Sequence, residues 1–153
     1  MTVLTAAERR LGWFMLGSGV VYLLGALFFS ILPEMSTNVA GFTGTLLGFA
    51  VVADSARGLW HPLACGLMFA IASAALMVGI DPRRNRTFAI PVIVSKGSTV
   101  LLAVVDLMTR EAGASTLGIV VTDFPLFLVT AFLYIGAMRS VGGSWLRNGP
   151  PFS

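Results

Sequence analysis

Three ionisable side chains lie in or beside long apolar runs and could do chemistry there: Lys96, Asp106 and Asp123. Lys96 stands nine residues past Thr87, where an apolar run begins, so it lies about 14 Å along a helix at a 1.5 Å rise per residue. A charge at that depth in a bilayer costs roughly 2.5–3.5 kcal/mol on insertion scales, so something should compensate it. Lys96, Thr99, Ala103, Asp106 and Arg110 fall on one helical stripe, which should face other helices. Asp106 is about 15 Å along that helix from Lys96, too far for a direct pair, but it can pair with Arg110 at i+4. Asp123, early in an antiparallel fourth helix, is the nearer partner for Lys96. The chemical reading is a proton relay, or a site for an anion or polar ligand. The plainer readings are a lysine that snorkels to the interface or a buried structural pair, and these are preferred because long basic side chains escape readily.

Asp123 precedes Phe124-Pro125. It could be the intramembrane acid of a carrier. The preferred alternative is an N-cap, with Pro125 in the first turn of a helix that starts there. His61 and Cys65 are four apart and would share a helix face. That spacing could offer one axial ligand to a haem or chlorophyll-type pigment, but two ligands are too few for a structural zinc site. The chain has one histidine and one cysteine, which excludes bis-histidine haem ligation by this chain alone and an internal disulfide. No cofactor and no metal is expected. Phosphate-binding loops, dinucleotide fingerprints, HExxH and nucleophile elbows are absent, so the reading is not an enzyme.

These residues must be held by helices in a membrane. Of 153 residues, 56% are hydrophobic and 11% charged, with mean hydropathy +0.88. A soluble domain carries about 25% charged residues, so too little polar surface remains to coat a globule in water. At about 20 residues per span, the chain holds four and no separate soluble domain, and residues 1–153 form a single integral membrane domain. The spans predicted are 11–32, 59–80, 87–109 and 117–138. The first is too long for a signal-peptide core of about 7–15 residues and reads as a retained helix. Between the first two spans, residues 42–53 form a shorter apolar run, predicted to lie in the interface or to re-enter the membrane. Small residues along the first and second spans suggest close helix contact.

The net charge of +3 comes from arginines beside apolar runs, which fits membrane topology rather than nucleic acid. Four spans put both termini on one side, together with Arg9, Arg10, Arg83, Arg84, Arg86, Arg139 and Arg147, against Arg57 and Arg110 on the other. That bias makes the termini, the 81–86 loop and the tail 139–153 cytoplasmic. Arg83, Arg84 and Arg86 could contact anionic lipid heads, although setting topology is the simpler role for them.

The glycine-rich first helix ending at Leu32-Pro33, the loop Asp81-Pro82-Arg83-Arg84-Asn85-Arg86, Lys96, and Asp123-Phe124-Pro125 give the chain a layout across 11–138. That layout resembles the small four-helix DoxX-like proteins of bacterial inner membranes. The resemblance implies an all-α four-helix transmembrane bundle and no settled activity. Three functions follow as expectations. The first is an accessory or structural subunit packed against other integral membrane subunits of a larger inner-membrane complex, with energy-transducing (respiratory or photosynthetic) complexes among the candidates. The second is a small transporter or proton-coupled carrier using Lys96, Asp106 and Asp123. The third is a lipid-, quinone- or pigment-binding protein using the His61 region.

Overall fold

A computed structural model describes residues 4–32, 60–109 and 114–148, with backbone alone at several helix-end positions, His61 among them. The predicted interfacial segment, 42–53, lies outside the described residues, as does Arg110. Every long element is helical: α1 (Ala6–Ile31), α2 (Trp60–Ile80), α3 (Ala89–Thr109) and α4 (Ala114–Asn148), with a single 3-10 turn at Arg86–Phe88 leading into α3.

Local chemistry sets the ends. Thr5 starts α1 with a capping box: its hydroxyl accepts the Glu8 N–H at 3.2 Å, and its own N–H donates to Glu8 Oε2 at 2.8 Å. Two orphan donors of the first turn are thereby satisfied. The helix thus begins five residues before the charge-free run that predicted it. At the far end of α2, Asp81-Pro82 stops the helix because proline brings no N–H to continue it. Asp81 Oδ1 accepts the N–H groups of Arg83 (3.2 Å) and Arg84 (3.0 Å), and Asn85 Nδ2 donates to the Met77 carbonyl at 2.9 Å. The turn between α2 and α3 is therefore held by its own side chains.

Among the described residues, four stretches are long and apolar enough to cross a membrane: Ala6–Ile31, Pro62–Ile80, Arg86–Met108 and Val120–Ser140. Large apolar side chains remain open on all sides, including Trp13, Leu102, Met108 and Phe132. In water such a surface would drive aggregation; in lipid it is the natural outer coat. The hydroxyls follow the same logic. Ser30, Ser73, Ser98, Thr122 and Thr130 each donate to a carbonyl one turn back in their own helix, which satisfies them without water.

Two antiparallel hairpins make the bundle. In the first, α1 and α2 meet where a side chain would not fit. A Cβ on Gly79 would stand 2.7 Å from Leu16 Cα, and one on Gly19 would stand 2.8 Å from Leu76. Not all the small residues serve this contact: Ala72, Ala74 and Ala75 are buried, while Ala64, Gly66, Ala70 and Ser73 face outward. In the second hairpin, Gly97 of α3 abuts the Phe127 ring of α4, 2.9 Å from where its Cβ would be. The buried cluster of Leu11, Met15, Ala75, Val78, Ala89, Val92 and Ala137 joins all four helices. It sits toward the end that carries Arg9, Arg10 and the 81–88 turn.

One sequence expectation is overturned. The helix containing Asp123 does not start there: α4 begins at Ala114 and runs through Asp123, with Pro125 in its interior. Asp123 is therefore no N-cap. The physical reason is the solvent. Starting a helix at Asp123 would leave the preceding backbone unpaired in an apolar setting, at several kcal/mol per group. Pro125 forfeits one hydrogen bond, to the Val121 carbonyl, and a membrane helix tolerates that.

Candidate functional site

Lys96 and Asp123 face each other across the second hairpin. Lys96 Nζ lies 2.9 Å from Asp123 Oδ1, and the two side chains are only 16% and 14% exposed. The α1 helix completes the site, because the ammonium sits over the Tyr22 ring, 4.8 Å from its centroid. A cation over an aromatic face is attracted by the ring quadrupole. Two hairpins therefore supply the cluster, with acid and base from α3–α4 and the ring from α1.

The register explains the direction Lys96 takes. Gly97 contacts Phe127, so Lys96 lies about level with that turn of α4, and Asp123 is one turn nearer the α3–α4 connection. The lysine bends toward Asp123, away from the arginine-rich end. The snorkelling expectation is thus corrected, and the buried-pair expectation is the one the geometry meets. A carboxylate within reach satisfies the ammonium where it stands, and the longer path to the interface is not taken.

The stripe predicted on α3 does face inward. Ala103 is buried, Thr99 and Asp106 are half-buried, and Asp106 Oδ2 accepts the Thr116 hydroxyl of α4 at 3.3 Å. Asp106 stays apart from Lys96, as helical rise required. His61 is the second residue of α2, and Cys65, one turn on, is buried.

A second ion pair closes the arginine-rich end. Glu8 is 2% exposed and receives a two-pronged contact from Arg83: Nε to Oε1 at 3.0 Å and Nη2 to Oε2 at 2.7 Å. The carboxylate beside it pushes the Arg83 pKa up from its ordinary value. Thr5 also reaches across to Ser140 of α4, hydroxyl to hydroxyl, at 3.1 Å. Arg83 thus spends its guanidinium on Glu8, whereas the sequence suggested lipid heads or topology alone. Arg84 is exposed and Arg86 half-buried. Sequence reasoning missed two residues here. Glu8 carried a signal, the Thr5-x-x-Glu8 capping pattern ahead of an apolar run. Tyr22 carried none, because nothing local marks one aromatic among many as the one facing Lys96.

Between α1 and α4 runs an open, mostly apolar groove of about 310 Å³, walled by Trp13, Phe14, Gly17, Ser18, Val21 and Tyr22 with Leu126 opposite.

At rest the Lys96–Asp123 pair is self-neutralising. Among the described residues, no buried side-chain nitrogen or oxygen lacks a hydrogen-bond partner. The arrangement can hold helices in register, and if the pair separates it can present an acid, an amine or a cation to a small polar ligand. No protein-family model, no curated protein and no solved structure matches this chain, so its function is argued from this geometry.

Proposed function

We propose that the protein is a non-catalytic, multi-pass subunit of a bacterial inner membrane, with both termini cytoplasmic, that packs against other integral membrane chains. One observation carries this reading. The intramembrane charges of Lys96 and Asp123 are spent on each other inside the bundle, while large apolar side chains are exposed on all four helices. What such a molecule offers its surroundings is a shaped apolar surface and not a reactive group. The positive-inside bias supports the orientation, and the DoxX-like layout fits the membrane assignment. The test is the native mass of the protein extracted from its own membranes in mild detergent. The expected result is a particle containing other chains. A peak holding only copies of the 16.2 kDa chain would overturn the reading.

A second reading, a small proton- or ion-coupled carrier, is favoured by one feature. The Lys96–Asp123–Tyr22 cluster sits at the seam of the two hairpins, where a rocking movement would separate α1 from the pair. Flux into vesicles that depends on Lys96 would establish it. Unchanged flux in Lys96→Met would end it.

A further inference from the structure

We propose that the groove between α1 and α4 is a binding site for one acyl chain of an anionic phospholipid, with Arg10 as the contact for its headgroup. The wall residues on α1, Trp13, Phe14, Gly17, Val21 and Tyr22, follow a three- and four-residue spacing. Continued one turn toward the arginine-rich end, that spacing reaches Arg10, which is exposed. Arg9, four residues before Trp13, falls about 100° round from Arg10 and just beyond the edge of that arc, at 3.6 residues per turn. The helix face that walls the groove therefore carries a cation one turn beyond Trp13 and Phe14, and mostly apolar side chains along the groove itself.

Its dimensions select the occupant. From Trp13 to Tyr22 the groove runs about 14 Å along the helix, close to one leaflet of a hydrocarbon core about 30 Å thick. A partner helix would need a seam across both leaflets and about 10 Å of width. A cavity of about 310 Å³ has too little room for that, while a single chain fits. A Cβ built on Gly17 meets nothing within 4 Å, so the glycine leaves the space that the chain would fill. The net attraction at Arg10 should be that of one basic side chain near an anionic surface, about 1 kcal/mol, or roughly fivefold in affinity.

The test uses the full chain in mild detergent with equal amounts of phosphatidylglycerol and phosphatidylcholine of identical acyl chains, the bound lipid being counted by native mass spectrometry. The expected result is one retained lipid with a roughly fivefold preference for phosphatidylglycerol. Gly17→Leu should fill the groove and lose the retained lipid of either head. Arg10→Gln should keep a lipid and lose the preference. Gly66→Leu, a change into open space on α2, should retain the lipid as the unaltered chain does. The proposal is overturned if the unaltered chain retains no lipid or shows no preference. It is equally overturned if Gly17→Leu binds as well as the unaltered chain, or if the preference vanishes with Arg84→Gln and survives Arg10→Gln.

Discussion

Among the described residues, two ion pairs tie distant parts of the chain, and they are built to different rules. Glu8–Arg83 lies at a helix end. The carboxylate is 2% exposed, the arginine side chain 37% exposed, and two hydrogen bonds join them in parallel. Lys96–Asp123 lies within the apolar stretch, with one hydrogen bond, both partners mostly covered, and an aromatic ring beneath the cation. At the first site arginine works because its planar fork matches a carboxylate while its charge stays wet. At the second, no water stands ready to take over either charge, and each ion depends on the other. The first pair is a clasp at the surface, while the second is a condition for covering those two charges in an apolar stretch at all.

Deleting half of each pair sharpens this contrast. Lys96→Met should be the more damaging change. Breaking a buried pair costs roughly 3–5 kcal/mol, because the partner left behind is an uncompensated charge. The double variant Lys96→Met/Asp123→Leu should recover most of the loss, read as the unfolding midpoint in one detergent. Additive single losses would mean that the pair is not coupled and the comparison fails.

The next effect concerns the backbone contact that brings Glu8 and Arg83 together. Gly79→Ala would place a methyl 2.7 Å from Leu16 Cα, with backbone on the far side and no flexible side chain to yield. Overpacking of this kind costs about 1–3 kcal/mol. Gly66→Ala on the same helix meets open space and should change the midpoint little. Equal midpoints for the two variants would show that α1 and α2 are not in register through Gly79.

Tyr22 offers a smaller test at the inner pair. Tyr22→Leu should lower stability by about 0.5–2 kcal/mol, the range of a cation–π contact, and Tyr22→Phe should retain nearly all of it. If the two variants behave alike, the ring is only filling space. The smallest expected effect is salt. Raising ionic strength from about 0.01 to 1 M shortens the screening length from about 30 to 3 Å. It should weaken the contribution of Glu8–Arg83, whose arginine is partly wet, and leave Lys96–Asp123 nearly unchanged. The readout is the midpoint difference between the unaltered chain and Glu8→Gln, or Lys96→Met, at each salt. The guanidinium brings no pH dependence in the ordinary range. Its folded-state pKa is raised, so its contribution is fully present below the ordinary arginine value and is lost only above it.

Much of this was legible in the residues, for identifiable reasons. Run length and charge spacing located four helices long and apolar enough to cross a membrane, because a bilayer imposes a thickness on any chain that crosses it. The partnership of Lys96 with Asp123 was also foreseen, since a deep lysine demands a counter-charge and Asp123 was the one within helical reach. The start of α4 was misread because Asp-Phe-Pro looks like a helix start to local rules, and those rules assume that water is at hand to satisfy the backbone outside the helix. Arg83 was read as a topology signal because its partner is 75 residues away.

What the amino-acid sequence determined by itself is therefore the four long apolar helices, their antiparallel order and the need for a charge partner near Lys96. All of these follow from solvation energies that act residue by residue along the chain. The tertiary structure alone decided that Tyr22 lies under the ammonium and that Arg83 grips Glu8. It also decided that Gly79 and Gly97 are contact points, whereas Gly17 opens onto a groove. These depend on helix rotation and register, which close packing between helices settles and which no local pattern encodes.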